Sequence, residues 1–123
     1  MAIYKSGEDY LETILILSKN GNFVRSIDVA TEMGFSKASV SRAVNILKNE
    51  GLITIEPDGQ LKLTEKGEAK ANSVYSRHNL LKKFFIEFLG VDEDTATNDA
   101  CKIEHVISEQ TYLKLKEYVK NNQ

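Results

Sequence analysis

The sequence predicts a mainly α-helical protein that begins with a winged helix-turn-helix, in which three helices are followed by a two-stranded β-hairpin. Three patterns support this fold class. Apolar residues recur at helical spacing through most of the chain, a glycine separates the second and third predicted helices, and two stretches of alternating residues flank a Pro-Asp-Gly turn. Further helical patterns follow the hairpin, and they predict a second part that is entirely helical.

Composition is that of a compact protein with a buried core. The chain has 123 residues, of which 41% are hydrophobic and 28% charged, with one proline. The single cysteine, Cys101, excludes an internal disulfide and favours a cytoplasmic location. No apolar run approaches the ~20 residues of a membrane span, so we expect no membrane partner. The net charge of −2 argues against coating nucleic acid, although a few basic residues on one element can still read a sequence.

The first two predicted helices are short and end at glycines. An apolar stripe that includes Tyr10 and Ile14 defines the first helix, and Gly21 is its predicted stop. The second helix follows Ser26 and ends at Gly34. This glycine stands where the turn of a helix-turn-helix needs a residue in the left-handed conformation.

A capped helix and the hairpin complete the first part. Ser36 is the predicted N-cap of a third helix that runs from Lys37 to about Glu50. Residues 53–56 and 61–64 then alternate with a period of two, which predicts two strands joined by the Pro-Asp-Gly turn. We place this winged helix-turn-helix in residues 1–68 and a helical domain in residues 69–123.

The helical domain is predicted to contain three helices. Thr64 can cap a long helix that runs to Leu89, Asp92 can cap another that continues to about His105, and a last helix holds Tyr112. The long helix is apolar on several sides near its end, which is typical of a central helix or of a subunit interface. We favour the interface of a homodimer. The residues expected there are Phe84, Phe85, Phe88 and Leu89.

The third helix carries a polar face suited to the major groove of DNA. Small residues at its start permit close approach, Arg42 can bind a guanine or a phosphate, and Lys37 can bind a phosphate. A solvated face is the ordinary alternative, but the order of the surrounding elements favours double-stranded DNA. On the acidic hairpin, Lys62 is the one obvious phosphate contact. The candidate DNA-binding residues are Ser36, Lys37, Ala38, Ser39, Ser41, Arg42, Asn45 and Lys62.

A second group of residues has the chemistry of a transition-metal site. Cys101, Glu104 and His105 have the spacing i, i+3, i+4, so they are expected on one face of the predicted fifth helix. Each has an ordinary structural explanation, since cysteines are often buried and histidines often structural. That both histidines and the only cysteine can meet one acidic pair favours a metal. The candidate ligands are Asp9, Glu12, His78, Cys101, Glu104 and His105.

Six segments, in order, carry a resemblance to a known family. They are residues 8–12 (EDYLE), 39–41 (SVS), 63–67 (LTEKG), 77–81 (RHNLL), 90–92 (GVD) and 101–108 (CKIEHVIS). Over essentially its whole length the chain resembles the diphtheria-toxin-repressor family of metal-dependent repressors, most of all the short manganese-transport-regulator branch. The resemblance implies a homodimer whose winged helix binds DNA only when a divalent ion is bound. It also implies that all six candidate ligands hold metal.

The residues at four positions distinguish the two branches of that family. Cys101 stands where the manganese branch has a glutamate, and it resembles the iron branch. Asp9, in contrast, stands where the iron branch has a methionine. The ancillary site of the iron branch is expected to be absent, because Thr97 and Lys82 replace its histidine and glutamate.

Together these observations predict a cytoplasmic, metal-activated repressor of manganese or iron homeostasis genes that binds a palindromic operator as a homodimer. Manganese(II) is favoured over iron(II), and the carboxylates are numerous enough to hold two ions per subunit. The alternative is a metal-independent winged-helix module whose C-terminal helices serve only dimerisation or partner binding. Because no His-Glu-x-x-His motif or catalytic triad is present, neither an enzyme activity nor a small-molecule substrate is expected.

Overall fold

The computed structural model describes residues 5–123, with side chains from residue 7 onward. The chain forms two compact units, the first ending at Asn72 and the second beginning at Ser73. The division falls inside a long helix, a few residues beyond the boundary expected from the sequence. Among the described helices, none has both the length and the apolar content needed to cross a membrane.

The first unit contains the elements of a winged helix-turn-helix in the predicted order. They are α1 (Lys5–Leu17), α2 (Ser26–Met33), α3 (Lys37–Asn49), β1 (Ile53–Ile55) and β2 (Leu61–Leu63). The strands are antiparallel, with Ile53 opposite Leu63. Gly34 ends α2 with a φ of 71°, which confirms the left-handed turn before α3.

The predicted end of the first helix is wrong. The helix stops at Leu17, and Lys19–Gly21 forms a single 3-10 turn. Within this turn Asn20 and Gly21 have positive φ values of 66° and 75°, a conformation that an α-helix cannot continue through. The hydrophobic core of the unit lies between α1, α2, α3 and the hairpin. Its fully buried members include Leu11, Ile14, Val29, Val40, Leu47 and Leu61.

The start of α4 (Glu65–Glu87) is fixed against the hairpin. Thr64 caps this helix as predicted, because its Oγ1 accepts a hydrogen bond from Gly67 N at 3.0 Å and donates one to Gly51 O at 2.7 Å. Gly67 itself is buried against the backbone of Leu52, where a Cβ atom would overlap the Leu52 carbonyl oxygen. A glycine is therefore required where the helix meets the wing.

The second unit contains the rest of α4 together with α5 (Glu93–Ile103) and α6 (Glu109–Asn121). The predicted cap of α5 is confirmed, since a carboxylate oxygen of Asp92 accepts a hydrogen bond from Thr95 N at 3.0 Å. The hydrogen bonds from the backbone and hydroxyl of Thr95 hold the pKa of Asp92 below its usual value.

Helices α4 and α5 each end two residues earlier than predicted. After Glu87, Gly90 adopts a φ of 72°, and Val91 N donates to Phe85 O at 2.9 Å, which closes the end of α4. After Ile103, the backbone N–H groups of residues 106 and 107 both turn back to the Ile103 carbonyl. The chain therefore leaves α5 before His105 rather than after it.

Candidate metal centre and nucleic-acid interface

Three of the predicted metal ligands converge within the second unit. His78 extends from α4, Cys101 lies in the last turn of α5, and Glu104 is the residue that ends α5. Their ligand atoms all lie within 4.8 Å of one another. The Sγ atom of Cys101 is 3.8 Å from Nδ1 of His78, and the same nitrogen is 3.4 Å from Oε2 of Glu104. A thiol, an imidazole and a carboxylate thus meet at one place.

Glu104 is the most unusual of these residues because its carboxylate is buried. Its side chain is only 1% exposed, yet neither oxygen accepts a hydrogen bond from the described residues. Oε2 faces His78, and Oε1 lies 3.5 Å from Nε2 of His105. Burying a carboxylate without hydrogen-bond donors is costly unless a positive charge compensates it. The donor set therefore fits a divalent cation.

Because α5 ends at Ile103, His105 approaches the Glu104 carboxylate from outside the helix. The three residues Cys101, Glu104 and His105 were expected on one face of a single helix, but only Cys101 lies within α5. Glu104 still has helical backbone angles, whereas His105 lies in the following turn. His78 and His105 approach different oxygens of Glu104, an arrangement that one shared helix face does not predict.

The other two candidate ligands belong to the first unit. Asp9 and Glu12 lie one turn apart on α1, and both are half-buried. Sequence reasoning overlooked their neighbour Glu8, which is buried and forms an ion pair of 3.1 Å with Lys70 of α4. Charges on this part of α1 are thus already balanced in part by a lysine that lies sixty residues away in the sequence.

Six of the residues predicted to bind DNA lie on α3, and Ser36 directly precedes it. Ser36 caps the helix, with its Oγ accepting a hydrogen bond from Ser39 N at 3.1 Å, so its predicted role as N-cap is confirmed. The side chains expected to face DNA are exposed or half-buried, whereas Val40, Val44 and Leu47 are buried on the opposite side. The exposed ones are Ser36, Lys37, Ala38, Arg42 and Asn45; Ser39 and Ser41 are half-buried.

Two basic side chains form contacts at the wing, the hairpin made by β1 and β2. Nζ of Lys62, the predicted phosphate contact, lies 3.5 Å from a carboxylate oxygen of Glu56, the residue that follows β1, so its charge is partly balanced within the hairpin. Arg25, which the sequence did not single out, stacks on Phe23 and donates from Nε to Asp58 O at 3.2 Å. Arg25 therefore joins the entrance of α2 to the tip of the wing, a long-range contact with no local sequence signal.

Comparison with known proteins agrees with this architecture. A family model described as the metal binding and dimerisation domain of iron dependent repressors matches residues 64–123. A second, described as the N-terminal DNA binding domain of iron dependent repressors, matches residues 3–61. The second model ends at the start of β2, the first begins directly after β2, and together they account for nearly the whole chain.

Individual relatives show the same relationship. The transcriptional regulator MntR of Lysinibacillus sphaericus is 36% identical over 103 residues, which cover 84% of this chain and 73% of the relative. The iron-dependent repressor IdeR of Mycobacterium tuberculosis is 32% identical over 114 residues, 93% of this chain and 50% of the relative. The structure of the manganese regulator SloR superposes with a TM-score of 0.84 at 29% identity, over 98% of this chain and 55% of that one.

The chain thus spans about half the length of IdeR and SloR, and most of the length of MntR. The matches extend through both units, and the relatives are transcriptional regulators. Their fold is the winged helix followed by a helical domain that this chain also has. The chain therefore belongs to the diphtheria-toxin-repressor family of metal-dependent transcriptional repressors.

Proposed function

We propose that this chain is a divalent-metal-activated repressor of metal-homeostasis genes, which binds a palindromic operator as a homodimer. The observation that carries the proposal is the buried carboxylate of Glu104, which faces a histidine nitrogen on each oxygen and accepts no hydrogen bond from the described residues. A repressor acts where the DNA is, so we place it in the cytoplasm. We assign it no enzymatic activity.

In this proposal His78, Cys101, Glu104 and His105 hold the metal from the second unit, and Asp9 and Glu12 are its ligands from α1, as the family resemblance implies. A bound divalent ion supplies positive charge that offsets the mutual repulsion of the carboxylates. Like charges about 4 Å apart repel by about 4 kcal/mol at an effective dielectric constant of 20, so this effect is large enough to bias a conformation. Because the ligands come from α1 and from the dimerising helices, the bound ion would fix the position of each winged helix-turn-helix relative to the dimer axis.

That constraint raises operator affinity without any new contact to DNA. Half-sites of a palindrome are separated by about 34–36 Å or a multiple of it. The two winged helices of a dimer can therefore bind together only when the distance between them matches the distance between the half-sites. Ligands that hold the two winged helices at this distance before DNA binds reduce the conformational entropy that is lost on binding. The contacts to DNA itself come from α3 and the wing, through the candidate residues 36–39, 41, 42, 45 and 62.

For the metal we favour manganese(II) over iron(II), with room for two ions per subunit. Asp9, Glu12 and Glu104 supply oxygen ligands, which suit manganese, and the two oxygens of Glu104 face different histidines. Cys101 is the exception, because a thiolate is soft and favours iron(II), cobalt(II) or zinc(II). Its Sγ lies 3.8 Å from His78 Nδ1, close enough to share an ion with it.

The homodimer is supported by apolar surface in the second unit. Phe84 and Phe88 of α4 stack with ring centroids 5.5 Å apart, and Tyr118 of α6 contacts both. Beside this cluster, Leu89 is 60% exposed and Tyr118 52% exposed. Apolar surface of this kind is typical of a subunit interface.

The proposal is tested by thermal melting of demetallated protein with and without manganese(II). Anything that binds only the folded state stabilises it, by about 2.7 kcal/mol at a concentration one hundred times Kd. We expect a rise of several degrees that Glu12→Gln abolishes. Glu32→Gln, an exposed acid on α2, is the control that keeps the rise. If no divalent ion moves the melting temperature, the metal-independent winged-helix module is the better description.

A further inference from the structure

The reading face of α3 contains two cations that are free to bind DNA. Within the described chain, neither Lys37 nor Arg42 forms a hydrogen bond or an ion pair, and both are exposed. The only acidic residue on residues 36–50 is Glu50, two turns beyond Arg42. Nothing on this helix therefore neutralises either cation before DNA arrives.

The short polar side chains of the same face already have partners. Ser36 and Ser39 form a hydrogen bond to each other at 2.9 Å, and Ser36 also accepts the Ser39 backbone N–H. Asn45 donates from Nδ2 to the carbonyl of Ser41 at 2.9 Å, which turns its amide back along the helix. These groups can support the backbone near DNA, but their hydrogen-bonding capacity is partly used within the helix.

Lys37 and Arg42 differ in their positions on α3 and in the shapes of their charged groups. Lys37 is the first residue of α3, and its ammonium is a point charge that suits a phosphate. Arg42 lies in the second turn, at the centre of the exposed face, one turn after the methyl group of Ala38 and one before Asn45. Ala38 is exposed and small, so it leaves space for the arginine side chain to extend into a groove. The planar guanidinium matches two acceptors side by side, which guanine presents in the major groove as O6 and N7.

We infer that Arg42 reads one guanine in each operator half-site, while Lys37 binds the phosphate backbone. The inference rests on the proposed function, because it requires that α3 enters the major groove. Beyond the proposed function, this inference names the base that α3 recognises. The operator should then contain a guanine at one fixed, symmetry-related position in each half.

The test starts from selection of operators from a pool of random 30-base-pair duplexes by the manganese-loaded protein. Affinities for every single-base variant of the selected sequence then identify the position that Arg42 reads. We expect Arg42→Gln, which replaces the guanidinium by an amide suited to adenine, to weaken preference for guanine there by about 5- to 150-fold per half-site. Replacing that guanine by 7-deazaguanine, which lacks N7, should weaken binding by the wild-type protein but have little effect on binding by Arg42→Gln.

Lys37→Ala is the matched control on the same face. It should weaken all duplexes equally and lower the slope of log affinity against log salt by about 0.9 per lost phosphate contact. Equal loss on all sequences with Arg42→Ala, together with a lower salt slope, would show that Arg42 holds phosphate and would overturn the inference. Retention of full guanine preference by Arg42→Gln would overturn it too. If the wild-type protein enriches no sequence, the proposed function itself fails, and the two failures are thereby distinguished.

Discussion

Nδ1 of His78 lies 3.4 Å from Oε2 of Glu104, although the two residues come from different helices and are separated by twenty-five intervening positions. Glu104 is buried, and its second oxygen faces His105 at 3.5 Å. Burial gives the carboxylate a large desolvation cost, and neither of its oxygens accepts a hydrogen bond from a described residue. A cation bound beside it would offset that cost.

Glu104→Gln should remove the metal response without unfolding the protein. The amide has nearly the same shape and no charge, so the metal-free variant should melt no lower than the wild type. Its melting temperature should no longer rise with manganese(II). Both quantities are read from the same melting experiment.

Asp99→Asn is the matched control, since Asp99 is an exposed acid on the same helix. It should keep the wild-type response to manganese(II). A Glu104→Gln variant that still responds fully would show that the buried carboxylate does not bind the metal.

Cys101→Glu should shift the metal preference. If the sulfur is a ligand, the variant loses a soft donor and gains a hard one, so cobalt(II) and zinc(II) affinities should fall and the manganese(II) response should rise. The absorption band from sulfur-to-cobalt charge transfer, present in the wild type, should disappear. An unchanged spectrum and an unchanged order of metals would leave Cys101 as a packing residue only.

Gly67→Ala should destabilise the first unit. The added Cβ would overlap the Leu52 carbonyl oxygen, so the start of α4 must move away from the wing, and overpacking of this kind typically costs about 1–3 kcal/mol. Chemical denaturation measures the change. Glu68→Ala, at the exposed neighbouring position, should change stability by less than about 0.5 kcal/mol. Equal effects of the two substitutions would contradict the close contact.

Leu89→Glu should weaken the dimer while leaving the subunit folded. The residue is 60% exposed in the single chain, so a charge there costs little within the subunit but would be buried at the proposed interface. Sedimentation should show a wild-type dimer at micromolar concentration, with or without metal, and more monomer for the variant. Val106→Glu, at a position 80% exposed, is the control and should remain dimeric. A wild-type monomer in both metal states would remove the half-site mechanism.

Local patterns were sufficient to predict most of the fold. Thr64, Asp92 and Ser36 each cap the helix that was expected to follow them, because capping depends on residues within three positions. Helix ends were predicted less well. Asn20 and Gly90 stop their helices through left-handed backbone angles, and no apolar pattern marks which of several neighbouring residues adopts one.

The candidate metal centre was predictable only in part, because local spacing does not encode contacts between distant residues. The spacing of Cys101 and Glu104 placed both near one end of α5, and His78 does join them. Contacts between residues far apart in the sequence have no local pattern from which they could be predicted. The pairing of Lys70 with Glu8 and that of Arg25 with the wing tip both depend on tertiary packing, which spacing along the sequence does not encode.

The most direct test of metal-activated repression is a titration of demetallated protein onto the selected operator duplex, repeated with each divalent ion while metal bound per subunit is counted. We predict weak binding without metal and a large gain in affinity with manganese(II), with iron(II) next, saturating at one or two ions per subunit. Because coupling between two ligands is reciprocal, the operator should raise metal affinity by the same factor. Operator affinity that is equal with and without every ion would contradict metal activation.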